Sequence, residues 1–211
     1  MTWEERAAER TLATARARTA EKGRRLVDAA RNLAASGSTT LTIGEVAAEA
    51  GISVRSFYRH FGSRDELLLA LFEEEARVGA VLLEQELDGV DAPIDRLRAY
   101  VMGLASLMVA GSGYASLLVQ EHLRLADSHP DELRAALAPL VALLGDALRA
   151  SAAAGDLRPV DGIDVATVFA LLLTQVQTVG LLEPAATTDA TAAHLWAFCR
   201  AALAPEPRGT R

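Results

Sequence analysis

Val54, Arg55, Ser56, Tyr58, Arg59 and His60 fall within seven consecutive positions of a chain whose other apolar stretches read as long runs of alanine and leucine. So many hydrogen-bonding and aromatic side chains on two helical turns form either a solvated face or a surface that touches a polar partner. Elsewhere the groups that do chemistry are scattered. His122, His129 and His194 are not at a common metal spacing with carboxylates or cysteines, so no metal site is assigned. There is no Ser/His/Asp pattern, Gly-rich phosphate loop or deaminase motif, which leaves no nucleophile and no cofactor cradle; neither a catalytic residue nor a cofactor is expected, and the chain does not read as an enzyme. Cys199, at helical spacing from Leu195 and Leu203, reads as a buried small hydrophobe.

Charge narrows the class of partner. The net charge of −7 argues against a polyanion until it is divided: residues 1 to 65 hold eleven Lys and Arg against eight Asp and Glu, so the acidity lies entirely in the remainder. A basic N-terminal end on an acidic body suits a protein that meets phosphate at one end only, because local charge governs the encounter. With 211 residues and 51% hydrophobic content there is ample material for a core. The single cysteine excludes an intramolecular disulfide. The charged N-terminus lacks the apolar core of a signal peptide, and no apolar stretch reads as long and uncharged enough to span a bilayer; no membrane partner and a cytoplasmic location are expected.

These residues must be positioned by helices. Alanine and leucine dominate, aromatics make up only 5%, and β-branched runs are scarce, all of which predicts an all-α chain of about nine helices. A polar, arginine-rich extension over residues 1–20 leads into a first helix in which Leu26, Ala29, Ala30 and Leu33 recur at helical spacing and Gly37 sits at the C-cap. Arg6, Arg10, Arg16 and Arg18 of the extension alternate with Glu4, Glu5 and Glu9, as on a solvated helix. Thr42 with Glu45 forms a capping box for a short second helix that ends at Gly51. Ser53 then caps "VRSFYRHF", and Ser63, followed by Asp65 and Glu66, starts a long fourth helix.

The second and third helices are joined by a turn with a steric logic. Ala47 permits two helices to cross closely, Gly51 allows a positive φ, and Ile52 and Phe57 pin the second of the pair to the core. This is a helix-turn-helix pattern. Val54, Arg55, Ser56 and Tyr58 are left on the N-terminal turns of its second helix, the part that enters a major groove. The segment "TIGEVAAEAGISVRSFYRHFGSRDELL", preceded by "AASG" and placed near the start of an all-helical chain of this length, resembles the TetR/AcrR family of transcriptional regulators. The resemblance is strong over residues 22 to 72. It implies a double-stranded DNA operator as partner, with Val54, Arg55 and Ser56 at base edges, Arg55 suited to guanine. It further implies that Tyr58, His60, Thr42 and Arg64 hold backbone phosphates. Gly44 stands where some members project a long side chain to a base, which throws more of the recognition onto Arg55.

The remainder of the chain supports fewer specific readings. Leu97, Val101, Leu104 and Met108 form one stripe with Tyr100 beside it, a following helix adds Leu118 and His122, and Pro139 interrupts the next. The resemblance implies a pocket here for a small, mostly hydrophobic effector, with Tyr100, Met108 and His122 as candidate contacts. The last two long helices are apolar on more than one face, which one chain of this size cannot cover, so a homodimer is expected. The resulting organisation is a polar extension (1–20), a three-helix DNA-binding domain (21–66), a helical ligand-binding and dimerisation domain entered through a long helix (67–204), and a frayed tail (205–211). The function read from it is a homodimeric repressor released from a near-palindromic operator by its effector. The alternative is a helical small-molecule- or lipid-binding module without DNA binding.

Overall fold

A computed structural model of the chain describes residues 2–37, 40–109, 112–183 and 187–205. Nine helices and no strand occur among them: α1 (Trp3–Ala35), α2 (Ile43–Glu49), α3 (Val54–Phe57), α4 (Arg64–Leu87), α5 (Pro93–Val109), α6 (Ser112–Ser128), α7 (Pro130–Ala153), α8 (Gly162–Leu182) and α9 (Thr188–Ala202). Except for its first residue, the tail expected from 205 onward lies outside the described residues.

The starts of the N-terminal helices follow from their capping chemistry. The Thr42 hydroxyl accepts from the Glu45 N–H while the Glu45 carboxylate accepts from the Thr42 N–H, closing the capping box of α2. Ser53 accepts from the Ser56 N–H and Ser63 from the Glu66 N–H, so α3 and α4 each begin on a satisfied donor. Gly51 adopts φ 65°, a left-handed conformation that favours glycine, and the Ile52 N–H closes the turn on the Ala47 carbonyl at 2.9 Å. The third helix is shorter than its sequence pattern implies. It has one turn from Val54 to Phe57, after which Tyr58, Arg59 and His60 continue as turns whose N–H groups reach back to Val54, Ser56 and Phe57. The polar extension and the first helix are one continuous rod of 33 residues.

One apolar core runs the length of the molecule. At the N-terminal end Leu26, Ala30, Leu41, Val46, Phe57, Leu67 and Leu68 are sealed together, and α4 carries the same stripe onward through Leu71, Phe72, Ala76 and Leu83. Helix α5 is central to the body, packing on α4, α7, α8 and α9. It approaches α4 so closely at Gly103 that a Cβ there would stand 2.7 Å from Leu83 Cδ2, which accounts for the glycine. Helix α7 corrects the sequence reading on membranes, because it is long and apolar enough to cross a bilayer. Its Leu133, Leu137, Leu140, Leu144 and Leu148 instead fill the core between α4, α5 and α8. Burial against other helices and burial in lipid select the same composition, so the sequence test does not separate them.

Candidate DNA interface and effector cavity

Helix α3 holds the polar cluster outward because its one large apolar residue faces inward. Phe57 is completely buried, stacks edge-on to Tyr58 at 5.5 Å and packs on Phe61 at 5.9 Å. Around the Phe57 anchor, at the surface end of this one-turn helix, Val54, Arg55 and Tyr58 are open to solvent; Val54 is 45% exposed and Tyr58 55%. Exposed valine and tyrosine are unfavourable on a free surface and favourable against the thymine methyl or sugar-phosphate of a duplex. Arg55 and Arg59 are exposed and make no ion pair among the described residues, so both guanidinium forks are available. Ser56 is half-buried beside them.

The four residues assigned to phosphate differ in their surroundings. Tyr58 is open to solvent. Thr42 stands at the exposed N-terminus of α2, but its hydroxyl donates to Glu45 Oε2 at 2.6 Å, so the capping box already engages the group expected to bind. His60 is half-buried and lines a groove with Phe61, Glu66, Leu69 and Glu132 between the head and α7. Arg64 departs most from expectation. Its Nε donates to the Leu41 carbonyl and its Nη2 to Glu121 Oε1, both at 2.6 Å, and its side chain is only 29% exposed. The guanidinium is turned into the protein, where it joins the start of α2, the start of α4 and the middle of α6.

Arg64 belongs to a larger assembly that local sequence spacing does not announce. Arg124, one turn after Glu121, donates to Glu121 Oε2 and grips Asp65 with two bonds of 2.9 and 2.6 Å; His129 Nε2 lies 3.4 Å from the same carboxylate. Burial alone would raise the Glu121 carboxyl, yet the bonds from Arg64 and Arg124 hold it below its ordinary value. The Asp65 carboxyl is likewise lowered, chiefly by its hydrogen bonds from Arg124. Two further arginines brace the head from α1: Arg25 donates to the Ala50 carbonyl at the end of α2, and Arg31 pairs with Glu75 on α4 at 2.6 Å.

A cavity of about 120 Å³ lies beside this assembly, bounded by α4, α5, α6, α7 and α8. Among the described residues its wall is mostly aliphatic, with Phe72, Leu104, Leu118, Leu137 and Leu140 prominent, and is polar at Glu75, His122 and Thr174. His122 follows Glu121 in the chain and sets its ring edge-on to Phe72 at 6.2 Å. Tyr100, named with His122 from the sequence, does not line this cavity. It is fully buried and donates its hydroxyl to the Leu140 carbonyl at 2.9 Å, supporting the wall from behind. Met108 is on α5, but its side chain lies outside the described residues. Cys199 is buried, and that burial pushes its thiol up.

The profile of bacterial regulatory proteins of the tetR family matches residues 26–71, the stretch from the second half of α1 into α4. An uncharacterized HTH-type transcriptional regulator of Haemophilus influenzae is 46% identical over 84 residues, which are 38% of this chain; the chain thus spans about two fifths (41%) of that relative's length. Among solved structures, the transcriptional regulator FadR of Bacillus subtilis, in complex with stearoyl-CoA, superposes with a TM-score of 0.66 at 17% identity, covering 85% of this chain and 98% of that one. RolR in complex with resorcinol superposes with a TM-score of 0.66 at 19% identity, covering 90% of each chain. At such identities these two likenesses speak for the fold, whereas the match over residues 26–71 speaks for the helix-turn-helix itself. The helix-turn-helix over residues 26–71 is thus that of the tetR family of bacterial regulatory proteins, and the all-helical fold that continues from it is shared with these solved regulators.

Proposed function

We propose that the chain is a homodimeric repressor that reads a near-palindromic operator with α3 and leaves it when a small, mostly apolar effector enters the cavity. The observation that carries this reading is the pairing of an unengaged reading face with a cavity one residue away from a bonded link to that face. Arg55 is free to bond guanine, with Val54, Ser56 and Tyr58 around it. Arg59, unpaired nearby, adds a cation for phosphate. A protein that meets DNA in this way acts where the chromosome is, in the cytoplasm.

Control follows from the Glu121 assembly. An effector beside His122 bears on α6, and α6 holds Arg64 and Asp65 at the foot of α4 through Glu121 and Arg124. Arg64 in turn holds the Leu41 carbonyl, one residue before the cap of α2. A ligand that favours a different seat of α6 therefore favours a different angle of the head, and it shifts DNA affinity by the difference in its own affinity for the two arrangements. The bundle has room for a partner. Ile163 (76% exposed), Thr167, Ala170 and Thr178 on α8 and Ala193, Ala197, Phe198 (55% exposed) and Ala201 on α9 leave an open, largely apolar or small-residue face, while Ala192 is consumed inside the protomer. Two-fold pairing there would set two heads on successive major-groove faces.

The test is selection of bound sequences from random duplexes by the full chain. A near-palindromic consensus is expected, and Arg55→Ala should lower its affinity by about 1–3 kcal/mol and relax preference at one base pair per half-site. Ala197→Glu should give monomers that bind the same consensus weakly. Enrichment of no sequence, with no salt-dependent retention of DNA, would leave the helical ligand-binding module as the better description.

A further inference from the structure

Within the cavity reading just given, the polar groups of the wall specify more than an apolar guest. Of the three, Glu75 is already paired with Arg31, and the Thr174 hydroxyl donates to the Ala170 carbonyl in its own helix. His122 differs. Its Nδ1 is sealed from solvent with no hydrogen-bond partner among the described residues. The imidazole is also pressed toward its neutral form, because burial lowers its pKa. A neutral imidazole carries one N–H and one lone pair. An N–H sealed without an acceptor costs more than an unused lone pair, so the proton belongs on Nε2. With Nδ1 sealed, Nε2 is the nitrogen of this lining residue left to offer a hydrogen-bond donor, and the other polar groups that line the cavity among the described residues already have partners.

We propose that the cavity takes an uncharged molecule of about one ring, carrying a single acceptor oxygen that His122 bonds. Size follows from the volume, since about 120 Å³ is close to the roughly 150 Å³ of an engineered apolar cavity that accepts benzene. Neutrality follows from the charges at hand. Among the described residues the wall has no cation to hold an anion, as Arg31 meets Glu75 from α1 and does not itself line the cavity. A carboxylate placed among leucines would lose its hydration without compensation. A cation would find Glu75 already neutralised, with the Arg31 charge behind it. A fold shared at 17% identity with a protein crystallised with stearoyl-CoA does not by itself carry that ligand class to this wall.

Three near-isosteres test the proposal by calorimetric titration of the full chain: acetophenone, alpha-methylstyrene, which replaces the carbonyl oxygen with a methylene, and benzoate. Wild type should bind acetophenone roughly threefold to tenfold more tightly than alpha-methylstyrene, the worth of one net hydrogen bond, and benzoate least. His122→Phe should retain alpha-methylstyrene and lose the preference for the ketone; His122→Gln, which restores an N–H donor, should recover part of it. Thermal unfolding of each variant checks that the bundle is intact. Equal affinities in wild type, a ketone preference that survives His122→Phe, or tighter binding of benzoate would each overturn the assignment of the hydrogen bond while leaving an effector cavity in place. Failure of all three to bind at their solubility limits would overturn the cavity as well, and operator selection without ligand would still report separately on the DNA-binding reading.

Discussion

The head and the body of this protein are built to opposite requirements. Around α2 and α3 the chain must hold a few polar side chains at fixed outward positions, so each backbone step is specified: a capping threonine, a glycine with φ 65°, a serine cap and one buried phenylalanine. In α5 to α9 the chain has only to enclose space, and any set of leucines, valines and alanines of suitable volume does so. Chemical specificity in the body is concentrated at a few points, such as Tyr100 on the Leu140 carbonyl and His122 in the cavity wall. A structure that must present side chains is constrained residue by residue, whereas one that must fill or enclose a volume is constrained mainly in total.

Substitutions of graded severity sharpen this contrast. The largest effect is expected from Phe57→Ala, which removes the anchor that turns the reading face outward. It should cost about 3–5 kcal/mol, measured by denaturant unfolding, and abolish operator binding; a Leu→Val change in the body wall should leave operator binding intact. Loss of stability without loss of DNA affinity would mean that the face is held by something other than Phe57. Glu121→Gln comes next. It leaves two arginines with a weaker acceptor at the joint between head and body, for a loss of roughly 1–3 kcal/mol, and it should blunt the response to effector more than it changes ligand-free operator affinity. Because the Glu121 and Asp65 carboxyls are both held below their ordinary values, the stability they contribute is present at neutral pH. It is lost only as pH falls below the usual carboxylate range, and mild acid should not loosen the joint. Thr42→Ala is the mildest, at about 1 kcal/mol from the lost cap, and in thermal melts it should affect the head before the body.

What was legible in the sequence divides along the same line. The caps at Thr42, Ser53 and Ser63, the turn at Gly51 and the burial of Phe57 are all local, set within four residues, and spacing reveals them. The inward turn of Arg64 depends on Leu41 and on Glu121, 57 positions away in the chain. No periodicity links those two residues, and at the start of a helix an arginine that faces phosphate is spelled the same way as one that faces a carboxylate. Arg25 beneath the Ala50 carbonyl is hidden for the same reason. Tyr100 and His122 sit on equally apolar stripes, and only packing distinguishes the one behind the cavity wall from the one at its surface. The membrane-like composition of α7 is a third case, in which a core and a bilayer ask the same thing of a helix.

The internal pairing of Arg64 also bears on how the protein would respond to ionic strength. A cation that approaches DNA unpaired displaces a condensed counterion, and each such displacement adds about 0.9 to the steepness with which log affinity falls against log salt. In a complex with a duplex, Arg64 would have Glu121 already beside it. A guanidinium already neutralised by a carboxylate would displace little counterion from the phosphates, and a bond to phosphate would have to be exchanged against one to a carboxylate. The slope should therefore count Arg55, Arg59 and the helix termini but pass over Arg64, so that the salt sensitivity of the complex falls short of the number of arginines in the basic end of the chain. Conversely, any condition that frees Arg64 from Glu121 would add one charge to the DNA-facing side without altering a residue.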